Sequence, residues 1–413
     1  RISLLSFFPL WEILRYPIES ASLKGIPAVR LPRFSAESEA VKSVPVLITV
    51  STLLPSADRI KELENHLEEV YLSNREGNVR VCCLADFKEA DSPSKPEDKM
   101  NVKAATEAVN RLNLRYSGGF ILAVRPRLYS KTQNKFIGKE RKRGAITELI
   151  RAIKGNSKGF TLLHGDTENL CDVKYIIALD SDTQLVFDSV STLVAAAEHP
   201  LNRPVIRNGR VVSGYGILVP KAENTLDTAR YSRFSALMSG DKGITAYDSL
   251  SCERYQQLFG ESIFCGKGLI DVDTFYCLPD NAFPAETVLS HDIAEGGYMR
   301  AGFMSDVSIT EDFPHNETGY YKRLHRWVRG DWQNIRLIFG RNPLNFVSRY
   351  KMLDNLRRSL NPVFALSALL GSLIIQGNGG VFLACLPLVS AGAGCFYGAL
   401  NSVINNGFCA LTR

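Results

Sequence analysis

The chain has 413 residues, of which 45% are hydrophobic and 22% are charged, and no segment is of low complexity. This length predicts two or three structural units, and the composition excludes an intrinsically disordered protein. The formal net charge of +6 is mild, and Lys and Arg occur in separate clusters, so we expect no nucleic-acid partner. The nine Cys form no CxxC pair and the six His are scattered, which argues against a zinc site.

Both ends of the chain are apolar. Residues 1–25 are typical of the end of a membrane segment or of an interfacial helix, with an amphipathic helix packed on the domain as the alternative. Residues 26–44 are expected to form a linker. Because the chain starts with Arg and ends within an apolar region, we expect it to be a piece of a longer chain that carries further domains.

The central region predicts a parallel α/β sheet. Apolar runs that are too continuous for solvent-facing strands alternate with helical patterns, and this β-α-β-α-β order requires right-handed crossovers. The predicted strands are 45–54, 79–86 and 119–124, and the intervening helices are 58–71 and 102–113. Helices are therefore expected on both faces of the sheet.

Two carboxylates follow a fourth apolar run, Tyr175–Asp180. Residues i and i+2 of an extended chain point to the same side, so Asp180 and Asp182 face one ligand together at the carboxyl end of this strand. Ligands of open α/β sheets bind at that end, and Mg²⁺ is held by one or two carboxylates together with substrate phosphates. The pattern predicts a metal–diphosphate site, with a solvated Asp-Ser turn as the alternative.

A basic segment, Gly138–Gly144, precedes a predicted helix over 145–154. Its four cations are Lys139, Arg141, Lys142 and Arg143. Helix N-termini favour anions and these side chains add positive charge, so the segment is predicted to contact a phosphate. A solvated basic loop is the alternative.

The later part of the chain carries further motifs. Residues 211–220 predict one strand, and the glycines around Lys267 indicate close backbone approach to a bound group. Asp292 and Glu295 open a predicted helix. Residues 318–340 predict a helix-rich segment with many basic and aromatic side chains.

The C-terminal region changes character. Residues 346–359 are basic and amphipathic, as in a helix that lies on an anionic membrane surface. Residues 381–400 are long enough to span a bilayer and residues 362–375 are marginal, with a buried helical hairpin as the alternative. The Lys and Arg before the first run predict that residues 45–345 face the cytoplasm.

The motifs occur in a recognisable order. An apolar strand ending in D-S-D, a later S-H-D, a still later R-x-x-R-W and a membrane-associated tail together resemble the processive, inverting nucleotide-sugar transferases of the cellulose-synthase type. Longer strings resemble the glycosyltransferase region of cyclic β-1,2-glucan synthases, over about residues 1–360. They are G-K-E-R-K-R-G, L-F-G-E, G-K-G-x-x-D-V-D, L-S-H-D-x-x-E-G, E-D-F-P and R-x-H-R-W-V-R-G-D-W-Q.

This resemblance implies a GT-A type fold, a UDP-glucose donor, Mg²⁺ (or Mn²⁺), a β-1,2-glucan acceptor and the bacterial inner membrane. It implies that Asp180 and Asp182 hold the metal on the donor diphosphate, that Asp86 accepts from the uracil imide N–H, and that Asp292 is the general base. The alternative for Asp292 is a helix N-cap. His291 and Glu295 are weaker candidates for the base.

Further substrate contacts follow from the same resemblance. Arg326 is expected to stabilise the departing UDP, and Trp327 and Trp332 offer flat faces to sugars, with a core aromatic as the alternative for Trp327. The wider group has Gln where this chain has Arg323, which cannot accept hydrogen bonds, so the acceptor contacts must differ. The remaining predicted substrate contacts are Lys139, Lys142, Arg143 and Lys267.

The related synthases build their glucan on the protein itself. Tyr247, in a loop-like segment, is the predicted attachment point, and Tyr255 lies in a helical pattern and is disfavoured. The alternative is that Tyr247 is a packed core tyrosine. The sequence thus predicts a membrane-proximal segment over 1–44, a glycosyltransferase domain over 45–345 and membrane helices over 346–413. A related transferase that makes another linkage and a degenerate scaffold are the competing interpretations.

Overall fold

A computed structural model describes residues 2–23, 26, 30–156, 159–239, 253–279, 282–283 and 292–406. The chain divides into two compact units, one of residues 28–349 and one that joins residues 1–27 to residues 350–413.

The described residues of the larger unit form thirteen strands. They are β1 (Val46–Leu53), β2 (Val79–Asp86), β3 (Phe120–Arg125), β4 (Leu128–Ser130), β5 (Lys135–Ile137), β6 (Leu162–Gly165), β7 (Tyr175–Asp180), β8 (Gln184–Leu185), β9 (Val205–Arg207), β10 (Arg210–Ser213), β11 (Ile217–Asn224), β12 (Gly268–Asp271) and β13 (Ala301–Glu311).

The described α-helices run through both units. They are α1 (Ile2–Leu23), α2 (Glu39–Lys42), α3 (Ile60–Leu72), α4 (Asp98–Tyr116), α5 (Arg141–Ile153), α6 (Ser189–Ala197), α7 (Leu226–Ala229), α8 (Arg233–Met238), α9 (Arg254–Phe259), α10 (Val272–Tyr276), α11 (Asp292–Met299), α12 (Glu317–Gln333), α13 (Ile335–Phe339), α14 (Phe346–Ile374) and α15 (Asn378–Asn406).

The larger unit is built on a nine-stranded sheet in the order β6-β3-β2-β1-β7-β12-β11-β13-β8. Strands β1, β2, β3 and β7 are mutually parallel, whereas β6, β8 and β12 run antiparallel to their neighbours. The predicted β-α-β-α-β order and the mainly parallel sheet are confirmed. The sheet is mixed because β12 runs antiparallel between β7 and β11.

Both faces of the sheet are buried, which explains the continuous apolar runs. On β1, Ile48 packs in the core cluster that also contains Leu67 of α3 and Val109 of α4. The adjacent Leu47 points to the opposite face, where it joins the cluster that contains Leu149 of α5. Successive residues of a strand alternate between faces, so a strand covered on both sides must be apolar at nearly every position.

The predicted single strand over 211–220 was wrong. The structure has β10 and β11 in its place, and the chain turns at Gly214, whose φ is +67°. A Cβ on Gly214 would lie 1.9 Å from the carbonyl oxygen of Arg203, so only glycine fits this close backbone approach. The break separates a two-stranded ribbon of β9 and β10 from the main sheet.

The smaller unit consists of helices. Helix α14 continues through Pro362, so the segments predicted separately over 346–359 and 362–375 form one helix. Within the described part of the chain, one helical segment, Asn378–Leu400 of α15, is long and apolar enough to cross a membrane. Arg357 of α14 donates to Glu12 of α1 at 2.7 Å, which joins these helices within the unit.

Candidate active site

The site lies at the carboxyl ends of the parallel strands. Asp180 is the last residue of β7 and is paired in register with Ser51 of β1, and Asp86 ends β2 on the other side of β1. Neighbouring strands are about 4.8 Å apart, so these strand-end acids lie at one edge of the sheet. The sheet thereby brings together two acids that are far apart in sequence.

Two ammonium groups contact the Asp180 carboxylate. Lys142 Nζ lies 2.5 Å from Asp180 Oδ1, and Lys267 Nζ lies 3.4 Å from Asp180 Oδ2. Burial would raise the pKa of Asp180, but the positive charges of Lys142 and Lys267 outweigh it and lower the pKa. Asp180 is therefore ionised at neutral pH, and two-fifths of its side chain is exposed to a ligand.

Asp182 has a different environment. Burial raises its pKa, the charge of Lys267 opposes the shift, and the neighbouring carboxylates of Asp180 and Glu311 add to it. The pKa values of the two acids of the D-S-D motif are thus shifted in opposite directions, and Asp180 loses its proton at a lower pH than Asp182. In the described part of the chain, no group of three or more His, Cys, Asp or Glu side chains is arranged to hold a metal.

Lys267 is buried between two acids. Its ammonium forms an ion pair with Glu311 at the end of β13 and also contacts Asp180. Burial would lower the pKa of Lys267, but the two carboxylates raise it above the ordinary value, so the side chain stays charged. Glu311 belongs to the E-D-F-P string, but the sequence analysis assigned it no role. Its position as an acid at the end of a strand could have indicated that it belongs to the site.

Lys142 contacts both Asp180 and the backbone beside Asp292, the predicted base. Besides Asp180, its Nζ donates to the carbonyl oxygen of Gly266 at 2.6 Å. Gly266 has a φ of +86°, and a Cβ at this position would lie 3.0 Å from Asp292 Oδ2. The backbone of one residue, Gly266, therefore lies between the Lys142–Asp180 pair and the Asp292 carboxylate. Asp180 and Asp292, which are distant in sequence, belong to one cluster.

Helix α11 starts at Asp292 and packs tightly on the loop before β12. A Cβ on Gly296 would lie 2.8 Å from Phe264 Cβ, so this glycine permits the close approach. Glu295, one turn after Asp292, is buried, and its Oε1 has no hydrogen-bond partner. Burial and then the Asp292 charge raise the pKa of Glu295 to about 8, against the opposing charges of Arg143 and Lys142. Glu295 is therefore protonated near neutral pH beside the Asp292 carboxylate.

Stability should depend on pH through Glu295. Its folded-state pKa of about 8 exceeds its ordinary value of 4.5, so the unfolded chain releases this proton first as the pH rises. The free energy of unfolding should then fall between about pH 4.5 and 8, by up to about 1.4 kcal/mol per pH unit for one proton. Glu295→Gln should remove this fall in denaturant unfolding measured at several pH values.

The matched control is Glu64→Gln. Glu64 is also buried, but its hydrogen bonds from Arg111 lower its pKa, so its stabilising effect is lost on acidification instead. The variant at position 64 should change the pH dependence only on the acid side. An unchanged slope above pH 5 in Glu295→Gln would contradict the assignment of Glu295.

The basic segment divides into inward and outward side chains. Lys142 contacts Asp180, whereas Arg143 pairs with Glu140 at 3.0 Å and lies 5.1 Å from the ring centroid of Phe283. Lys139 and Arg141 are exposed. The structure thus brings Lys142 into the acid cluster, and the nucleotide contacts predicted for Lys139 and Arg143 stay predictions.

The R-x-x-R-W motif lies on α12. Arg323 Nη2 donates to the carbonyl oxygen of Asp312 at 3.4 Å, which holds the helix to the end of β13. Arg326 is exposed and faces an open groove that Tyr321 and His325 also line. Trp327 is half-buried and Trp332 is 44% exposed. Their predicted contacts with the acceptor and UDP stay predictions.

Three predicted residues lie outside the described part of the chain. They are Tyr247, Ser290 and His291. Tyr255, the disfavoured attachment point, lies in α9 and is 8% exposed.

Known proteins match this chain over much of its length. No family model matches. The cyclic β-(1,2)-glucan synthase NdvB of Rhizobium meliloti is 37% identical over 330 residues, which are 78% of this chain and 12% of that protein. The predicted resemblance to the glycosyltransferase region of cyclic β-1,2-glucan synthases is confirmed. The chain spans about an eighth of that synthase, so the activity of the whole protein is considered below as a proposal.

A second group of relatives makes glucans. The glucans biosynthesis glucosyltransferase H of Pseudomonas entomophila is 27% identical over 201 residues, which are 44% of this chain and 22% of that protein. The corresponding protein of Klebsiella pneumoniae is 26% identical over 223 residues, covering 48% of this chain and 25% of that protein. The chain is thus related to glycosyltransferases of glucan synthesis.

Two solved structures were found to be similar to this chain. A mannosyltransferase from Pyrobaculum calidifontis in complex with GDP-Man and Mn²⁺ covers 96% of this chain and 99% of its own, with 12% identity and a TM-score of 0.46. GalNAc-T7 with UDP, GalNAc and Mn²⁺ covers 76% of this chain and 55% of its own, with 10% identity and a TM-score of 0.34.

Proposed function

We propose that this chain transfers glucose from UDP-glucose to a growing β-1,2-glucan, with inversion at the anomeric carbon. The observation that carries the proposal is the Asp180–Lys142–Gly266–Asp292 arrangement. In this arrangement an ionised, partly exposed acid lies near a second acid, which supports one role at the donor diphosphate and one at the acceptor. The cyclic glucan synthase relative supports the choice of product.

The chemistry requires one carboxylate on each side of the transferred sugar. The acceptor hydroxyl attacks the anomeric carbon and gives its proton to Asp292, while the bond from that carbon to the diphosphate breaks and UDP leaves. Lys142 lies beside Asp180, so its ammonium is available to the negative charge that develops on UDP. Burial and the Asp292 charge raise the pKa of Glu295, which favours its neutral form and leaves Asp292 as the proposed base.

A divalent cation fits this site. Asp180 supplies an ionised oxygen ligand and Asp182 a second carboxyl, which suits Mg²⁺ or Mn²⁺ completed by substrate oxygens. When bound, the cation neutralises charge on the diphosphate. We assign Asp180 and Asp182 as its protein ligands, and Asp86 as the acceptor for the uracil imide N–H.

The proposed setting is the bacterial inner membrane, with the catalytic unit facing the cytoplasm and joined to further domains of a longer chain. Helix α15 supports the membrane assignment, because its segment Asn378–Leu400 has the length and apolar composition of a span. Initiation on Tyr247 remains part of this proposal.

The deciding experiment supplies the purified full chain with UDP-glucose, a divalent cation and short β-1,2-glucan, followed by linkage analysis of the product. We expect 1,2-linked glucose and release of UDP, with little transfer from GDP-mannose. Another linkage would favour a related processive transferase. If no UDP were released under any of these conditions, the degenerate scaffold would replace the enzyme.

A further inference from the structure

Arg125, the last residue of β3, is the centre of a hydrogen-bond hub that the sequence did not indicate. Its side chain is buried, and its Nε and Nη2 donate to Asp86 Oδ1 and Oδ2 at 2.7 and 2.6 Å. The same guanidinium donates to the carbonyl oxygens of Lys139 at 2.9 Å and Arg141 at 2.8 Å. One side chain therefore joins the acid that ends β2 to the basic segment at the start of α5.

Two glycines beside this hub have no space for a side chain. A Cβ on Gly138 would lie 2.3 Å from Asp86 Oδ2, and a Cβ on Gly144 would lie 2.0 Å from the carbonyl oxygen of Lys139. Glu140 and Arg141 both have left-handed backbone, with φ of 56° and 47°. Residues other than glycine rarely adopt this conformation, so the surrounding contacts must hold it. The Arg125 bond to the Arg141 carbonyl is one of these contacts.

Asp86 keeps acceptor capacity after Arg125 is satisfied. A carboxylate has about four lone-pair sites, and Arg125 uses one on each oxygen. The Asp86 side chain remains 12% exposed, so part of it stays accessible to a ligand. Because the guanidinium fixes the plane of the carboxylate, the direction of the remaining lone pairs is also fixed.

We propose that Arg125 is the positioning residue of the nucleoside end of the donor site and makes the site selective for a base with an imide N–H. The inference rests on the proposed function, because it takes Asp86 as the acceptor for uracil. Uracil presents N3–H as a donor, whereas cytosine presents N3 as an acceptor, whose lone pair would face a carboxylate oxygen with no hydrogen between them. A site built to bind an N–H discriminates strongly against a ligand that lacks it.

The chain offers a matched control two residues later. Arg127 is also buried and forms a bidentate ion pair with Asp98, in which Nη2 donates to Oδ1 at 3.0 Å. Its Nε donates to the carbonyl oxygen of Lys88 at 2.6 Å. The two arginines thus resemble each other in burial and pairing, but Arg127 holds neither Asp86 nor the basic segment. Loss of either leaves a buried carboxylate without its partner.

The test measures binding of UDP and of CDP by calorimetry to the purified full chain with a divalent cation. We expect Arg125→Gln to weaken UDP binding by at least about tenfold and to abolish the preference of UDP over CDP. Arg127→Gln should lower the melting temperature to a similar degree and keep the preference. If Arg125→Gln does not fold, Arg125→Lys keeps the charge but cannot reach Asp86 and both carbonyls together, so it should also lose the preference.

The outcomes separate the two levels of the proposal. A folded Arg125→Gln or Arg125→Lys protein that retains the preference overturns the role of Arg125, as does an equal loss in Arg127→Gln. A wild-type chain that binds UDP and CDP equally overturns the base selectivity. A wild-type chain that binds neither nucleotide overturns the proposed function itself, and the role of Arg125 with it.

Discussion

Asp292→Asn is expected to reduce glucan synthesis by about 10²- to 10⁴-fold, the usual contribution of a positioned general base. Asn keeps the shape of the side chain, but it cannot take the proton of the acceptor hydroxyl. The rate should be measured as UDP release with saturating UDP-glucose and β-1,2-glucan. UDP binding should stay unchanged, because the Gly266 backbone lies between Asp292 and the Lys142–Asp180 pair.

Stability separates loss of the base from loss of the fold. The charge of Asp292 raises the pKa of the buried Glu295, so the neutral Asn should leave the protein at least as stable near neutral pH. Asp271→Asn is the control, because Asp271 ends β12 beside Tyr175, at the opposite end of β7 from Asp180. Its carboxylate caps α10 by accepting from the Thr274 N–H at 2.7 Å. If Asp292→Asn retained synthesis at the wild-type rate, another group would have to be the base.

Asp180→Asn should also cause a large loss, but of metal-dependent donor binding. A bound cation contributes several kcal/mol of charge stabilisation, and each 1.36 kcal/mol is tenfold in rate, so turnover should fall by at least about 10²-fold. The dependence of UDP affinity on Mn²⁺ or Mg²⁺ should be lost as well. Titration of UDP binding with and without the cation measures this coupling directly.

The charge balance at Asp180 provides the control. Lys142 and Lys267 both contact this carboxylate, so Asn alone leaves two ammonium groups with one acid fewer. Adding Lys142→Gln removes one of these charges, and the melting temperature should recover while turnover stays low. Should the double variant regain metal-dependent binding of UDP, Asp180 would not be a metal ligand.

Local patterns were sufficient for much of the fold. The strands Val79–Asp86 and Tyr175–Asp180 agree with the predicted bounds, because a continuous apolar run between polar residues marks a strand buried on both faces. The acids at their ends were visible for the same reason. The break at Gly214 was missed, although Gly214 and Gly216 interrupt the apolar run. Glycine is required there because the Arg203 carbonyl lies close to this position.

The motifs D-S-D, S-H-D and R-x-x-R-W could be recognised in the sequence, because each has characteristic residue types at a fixed local spacing. Which of the predicted site residues meet depends on the tertiary structure. Lys142 and the Gly266 carbonyl are 124 residues apart, yet their hydrogen bond brings Asp180 and Asp292 into one cluster. Arg125 and Asp86 are 39 residues apart, and no sequence motif indicates that they pair. Such contacts depend on how strands pair and helices pack, and local periodicity contains no information on them.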